Sequence, residues 1–229
     1  MKIDGATLVL AAIAVVPWLG DLFESIELPG GAKLQYRKLE ERVEAAEQRT
    51  EEARLAVNDA SRQARVALVA AGDDSGRGER ADEAVGRLLR EFTDLRDRMP
   101  SGPARTYRQE QIVAELVRLT PQLDDFDVAG ALGSADGGTR LAAYARLYAL
   151  PEGDLLPALV EAAAEESFPF AQTWALNAVA VVIDAVGPGN VRLATARRLR
   201  SCLAQLPPHA MYRTQSLRAI LGRLEDAAG

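Results

Sequence analysis

The stretch that decides the fold is Phe168-Pro-Phe-Ala-Gln-Thr-Trp-Ala-Leu-Asn-Ala-Val-Ala-Val-Val-Ile-Asp-Ala-Val186. Placed on a helix, Phe168, Phe170, Trp174, Leu176, Val179, Val181, Val182 and Ile183 leave almost no polar face. A helix that is apolar all round has to be enclosed by other elements. Residues 168–186 are therefore expected to be the central, most buried helix of an all-α domain, because the neighbours that enclose it also read as helices. Trp174 within it, and Tyr144 before it, are read as core anchors rather than ligand contacts.

Proline and glycine punctuation sets those neighbours. Helices are expected at 104–119, 125–133, 138–149, 153–166, 190–206 and 210–226, with breaks at Pro121, Gly133 to Gly138, Pro151, Pro169, Gly187-Pro188-Gly189 and Pro207-Pro208. Asp154 and Asn190 stand where N-caps belong. Asp124, Asp125 and Asp127 cluster beside Phe126. Paired carboxylates can do acid–base work or bind Mg²⁺, but at a helix start they suit capping and the dipole. Glu165-Glu166 reads as a solvated helix end. Cys202, near Leu199, Leu203 and Leu206, reads as a small buried hydrophobe, and His209, after two prolines, as an exposed turn residue.

An internal repeat runs through the same region. Arg108, Arg140, Gln172 and Arg213 each begin a similar helix, at spacings of 32, 32 and 41, and Ile112, Tyr144, Leu176 and Leu217 follow four residues on. The middle pair aligns best, Arg140 to Leu147 beside Gln172 to Val179. A period in the thirties to forties with a helix pair per unit resembles HEAT or armadillo repeats over residues 104–229. The resemblance implies a helical array that presents a protein-binding surface. A non-repetitive helical bundle is the alternative arrangement of the same helices.

Charge is unevenly spread along this array. Asp124 to Phe170 holds nine acidic and two basic residues, a net of −7, whereas Asn190 to Gly229 holds seven Arg and two acidic residues, a net of +5. Arg192, Arg197, Arg198, Arg200, Arg213 and Arg218, with Arg223, are the candidate partner-binding residues, facing an acidic protein, phosphate or nucleic acid. The alternative is a solvated surface partly paired with the acidic half. Nucleic acid is disfavoured, because the chain carries a net charge of −6 and only Tyr212 interleaves with the basic run.

Composition narrows the chemistry further. One Cys and one His exclude a multi-Cys zinc site, an internal disulfide framework and a two-His metal motif. With 41 Ala and 24 Arg, the chain is rich in helix formers. Neither phosphate-loop nor dinucleotide glycine signatures occur. The Gly72-Asp73-Asp74-Ser75-Gly76 string is not read as a nucleophile, since the only His has no acidic residue placed to orient it. No catalytic residue, metal ligand or cofactor is assigned, and the chain is read as a non-enzyme.

The N-terminal part has a different character. Ala6 to Leu19 is a run of 14 residues without charge. Counted from Ile3 it spans about 25 Å as a helix, just short of a bilayer's roughly 30 Å hydrocarbon core. A signal peptide and a buried helix are the competing readings. The membrane anchor is preferred because Trp18 ends the run, where an indole favours the interface. Leu19, Leu22, Phe23 and Ile26 then make an amphipathic segment able to lie in the interface plane. Val9, Leu10, Ile13, Val16, Trp18, Leu22 and Phe23 are the candidate anchor residues. Lys33, Arg37 and Lys38 downstream, against Lys2 upstream, orient a single-pass chain with its body in the cytoplasm.

Residues 33–70 contain no Gly or Pro and read as one charged helix of about 57 Å. A heptad seam fits Leu39, Val43, Ala46, Thr50, Ala53, Val57, Ala60, Ala64 and Ala67. Three arrangements fit: a coiled coil between copies of the chain, a hairpin with residues 79–99, whose Val85, Leu88, Leu89, Phe92, Leu95 and Met99 form a stronger stripe, or a solvated single helix. The expected organisation is an anchor with interfacial helix at 1–31, a long charged helix at 32–71, a hinge at 72–78, a connecting helix at 79–103 and the HEAT-like domain at 104–229. The apolar start, Pro17-Trp18 and the Ile26-Glu27-Leu28-Pro29-Gly30-Gly31 turn resemble bacterial membrane-anchored coiled-coil proteins. Together these features point to a membrane-tethered cytoplasmic adaptor or scaffold for a protein partner. The alternative is a regulatory helical module that binds nucleic acid or an acidic ligand through its basic C-terminal face.

Overall fold

The computed structural model of the chain describes residues 80–227; the expected anchor, charged helix and hinge lie outside them. In order, the described chain forms α1 (Ala81–Arg98), α2 (Pro103–Leu119), α3 (Val128–Leu132), α4 (Gly137–Ala149), α5 (Leu156–Glu165), α6 (Pro169–Val186), α7 (Leu193–Gln205) and α8 (Met211–Asp226). Short 3₁₀ turns at Thr120–Gln122, Gly153–Leu155 and Pro188–Asn190 join some of them. Among the described residues there is no strand, so the domain is all-α.

The apolar stretch becomes α6. Pro169 opens it at the first helical position, where its missing N–H costs nothing. Gly187 closes it at φ 84°, a left-handed conformation that a side chain resists. Every residue from Ala171 to Val179 is buried, as are Val182 and Ile183. The helix is long and apolar enough to cross a membrane, yet most of it is enclosed by protein. It packs against α4, α5 and α8 and holds the centre of the domain. Trp174 and Tyr144 are fully buried. The Trp174 ring meets Tyr148 edge-on at 5.6 Å.

Neighbouring helices pack as pairs: α1 on α2, α3 on α4, α5 on α6 and α7 on α8. In addition α2, α4, α6 and α8 pack in succession, and so do α3, α5 and α7. Arg108, Arg140, Gln172 and Arg213 all fall in the first two turns of that successive set, on α2, α4, α6 and α8 respectively. Helix α1 places Val85, Leu88 and Phe92 in the same core as the rest, against α2 and α4. Where α1 passes the start of α4, a side chain at Gly138 would put Cβ 2.9 Å from the Leu89 carbonyl oxygen. Glycine is what lets those two backbones meet.

Helix ends differ from the expected capping in informative places. Asp127 does cap its helix, accepting from the Gly130 N–H at 2.9 Å. Asp136 caps α4 in the same way, accepting from the Thr139 N–H at 2.7 Å. Asp154 makes no cap bond, because it lies within a 3₁₀ turn and α5 begins two residues later. Asn190 caps the preceding helix instead of the following one: its Nδ2 donates to the Val186 carbonyl at 2.7 Å, satisfying an acceptor left open at the end of α6.

Candidate functional site

The basic C-terminal segment folds back on the acidic one. Helix α7 packs on α5, and α8 packs on α6. Arg198 of α7 thereby donates to Glu161 of α5 at 2.6 Å and lies 3.6 Å from Glu165. The Glu161 carboxylate holds the Arg198 guanidinium above its ordinary pKa. Arg223 of α8 pairs with Asp184 of α6, and Arg200 of α7 reaches Glu225 of α8 at 3.0 Å. These pairs are exposed and each contributes about 1 kcal/mol or less. Their larger effect is to cancel much of the positive field that the sequence places on this face.

Three of the candidate arginines stay uncompensated. Arg192, Arg197 and Arg218 are exposed and form no ion pair among the described residues. Arg192 immediately precedes α7 and Arg197 lies on it, on either side of Leu193, an apolar side chain left 59% exposed. The structure therefore separates the candidate set: Arg198, Arg200 and Arg223 hold helices together, while Arg192 and Arg197 flank an open apolar contact.

Arg213 belongs to neither group. It sits in the first turn of α8, on the wall of a cleft of about 590 Å³. Its Nη1 donates to the Gln172 side-chain oxygen, and Gln172 in turn donates to the Ala163 carbonyl at 3.0 Å. Burial pulls the Arg213 guanidinium below its ordinary pKa, since no carboxylate beside it offsets the lost hydration. Arg96 and Arg105, from α1 and α2, line the same cleft. Neither stands out in the sequence, because both lie more than a hundred residues before Arg213 and outside the basic C-terminal run. The available signal was that the cleft gathers helix starts: Pro103 and Pro169 mark two of them, and Pro207-Pro208 precedes the third.

The reading of Glu165-Glu166 as a solvated pair is corrected for its second member. Glu165 is exposed, but the Glu166 side chain is fully buried. It accepts two bonds from Arg140, both at 2.8 Å. The Tyr144 hydroxyl donates to it at 3.1 Å and the Phe168 N–H at 3.0 Å. Arg140 also donates to the Ser134 and Ala135 carbonyls. Burial, and the negative charge of Glu166, push the Tyr144 hydroxyl pKa well above its ordinary value. This node locks the start of α4 to the connection between α5 and α6. It is enclosed and its carboxylate oxygens are all used by protein donors, so its role is positional. A second bidentate pair, Arg108 with Glu91 at 2.6 and 2.8 Å, ties α2 to α1.

Cys202 is buried, and burial pushes its thiol pKa up, away from the thiolate a nucleophile needs. His209 is exposed on the rim of the cleft. Among the described residues, no three His, Cys, Asp or Glu side chains gather as a metal site. No protein-family model, curated protein or solved structure matches the chain.

Proposed function

We propose that this protein is a membrane-tethered helical adaptor whose C-terminal domain carries a protein-binding surface on the cytoplasmic side. The observation that carries the reading is the open stretch at the start of α7, where exposed Leu193 lies between the uncompensated Arg192 and Arg197. An apolar contact flanked by arginines is the composition of a partner-binding patch, where a side chain buries its area while charge sets orientation. The paired, successively packed helices support a HEAT-like array. The tether rests on the apolar run from Ile3 to Leu19 and on Trp18. Residues 33–70 supply either spacing or self-association.

The test is affinity capture of the full-length protein from its native membranes, run beside a variant carrying Arg192→Glu, Leu193→Asp and Arg197→Glu. All three side chains are exposed, so helical content by circular dichroism stays unchanged. The variant is expected to lose the captured partner. An unchanged partner set rules out the α7 surface, and recovery of the protein from the soluble fraction without detergent rules out the tether.

A further inference from the structure

We propose that the cleft between the last turn of α1 and the first turns of α2, α6 and α8 is a binding site for a small organic phosphate. Three guanidinium groups line it, and none is balanced by a carboxylate. Arg96 stacks over the Phe168 ring at 3.3 Å. Arg105 donates to the Met99 carbonyl at 3.1 Å and the Ser101 hydroxyl at 2.7 Å. Arg213 donates to the neutral Gln172 amide. No Asp or Glu is among the residues that line the cleft. Each arginine is therefore oriented by a neutral group, and its charge remains available to a ligand.

The backbone adds to the same sign. Helices α2, α6 and α8 all present their first turn here, and none has a side-chain cap. The free N–H groups of a first turn, with the positive end of the helix dipole, favour an anion. Three such ends beside three arginines repel one another unless something negative lies between them.

An independent observation points to a ligand. Gln109 of α2 is 5% exposed overall and lines the cleft, and its side-chain amide makes no hydrogen bond among the described residues. It is a donor waiting at the wall of an electropositive cleft. Phosphate fits the donor set better than a single carboxylate, because guanidinium forks and helix N-termini can share its several oxygens. Phe170 and Met211 add apolar wall, and the volume falls within the range of small-molecule sites. The ligand thus carries an apolar body beside its phosphate.

The test uses the full-length protein in detergent, with phenyl phosphate and ADP as organic phosphates. Inorganic phosphate and a glutamate-rich peptide serve as comparisons. Isothermal titration calorimetry at low salt is expected to show at least one of the organic phosphates binding at least about tenfold more tightly than inorganic phosphate. Arg105→Ala and Arg213→Ala are each expected to weaken that binding by roughly tenfold or more. Gln109→Glu keeps the size of the side chain and supplies the missing negative charge. It is expected to abolish phosphate binding while raising the midpoint of thermal unfolding without ligand by about 2–4 °C. No binding of either organic phosphate at millimolar concentration overturns the proposal. So does peptide binding as tight as that of the organic phosphates, or a Gln109→Glu variant that melts earlier and binds phosphate as before.

Discussion

Replacing Glu166 by Gln tests the account of the buried node most directly. The side chain is fully enclosed, and its partner Arg140 is 15% exposed. Both oxygens are used: Arg140 donates to each, Tyr144 to one and the Phe168 N–H to the other. Glutamine preserves the volume but keeps only one acceptor. Its NH₂ group then faces other donors, and the Arg140 charge is left in the interior without a counter-charge. Removing one partner of a buried pair typically costs about 3–5 kcal/mol. Arg140 keeps the Ser134 and Ala135 carbonyls as acceptors, which places the cost near the lower end, at about 3 kcal/mol. For a domain of this size each kcal/mol lowers the unfolding midpoint by roughly 2–4 °C. A fall of roughly 6–12 °C is therefore expected in thermal denaturation of the purified protein. The double variant Arg140→Leu with Glu166→Leu removes both charges and is expected to be less destabilised than Arg140→Leu and Glu166→Leu added together, with a coupling of about 2 kcal/mol. A Glu166→Gln midpoint within about 2 °C of the parent, or strictly additive variants, refutes the reasoning.

The Arg108 hydrogen bond holds the Glu91 carboxyl pKa below its ordinary value. That pair therefore stabilises the fold above the ordinary carboxylate range, and its contribution is lost as pH falls through the lowered folded value. Both groups are partly exposed, so the gain is about 1 kcal/mol or less. Arg108→Ala should move the NMR titration of Glu91 upward and flatten the acid limb of stability, whereas an unmoved titration contradicts the assignment. Cys202 is the chain's only cysteine and is buried, so a thiol reagent should label the native protein slowly and the urea-unfolded protein fully. Immediate labelling of the native form would contradict its placement. Gly187→Ala forces a side chain into φ 84° and should cost about 1–2 kcal/mol in urea denaturation; a neutral effect would mean that this turn is not left-handed in solution.

Much of the fold was legible because local chemistry and tertiary structure agree. Pro169 and Gly187 bracket α6, and its uniform apolarity required enclosure. Cys202 among leucines had to turn inward, and His209 after two prolines had to stay out. Asp127 caps where a short acid beside a helix start should. The expectations failed where a residue's role is set by a distant partner. Glu166 looks like its neighbour Glu165 in sequence, yet only Glu166 meets Arg140, 26 residues earlier. Asn190 suits either end of a helix, and the open carbonyl at Val186 decided which one it serves.

The candidate site divides along the same line. The sequence could count the C-terminal arginines, but charge counts carry no geometry. Packing α7 on α5 and α8 on α6 spends Arg198 and Arg223 on ion pairs and leaves Arg192 and Arg197 open. The cleft was invisible because its walls come from α1, α2, α6 and α8, and nothing in a linear pattern brings Arg96, Arg105, Gln109 and Arg213 together.

By itself the sequence determined that most of residues 80–227 is helical, which Pro and Gly clusters interrupt it, and which helix lies at the centre. Those outcomes depend on backbone propensity and hydrophobic period, which act over a few turns. Only the tertiary structure decided which charges are spent on the scaffold and which are left for a ligand. Electrostatic pairing and burial depend on distances through space between residues tens of positions apart. The same arginine is a strut, an exposed contact or a cleft wall according to what the fold sets opposite it.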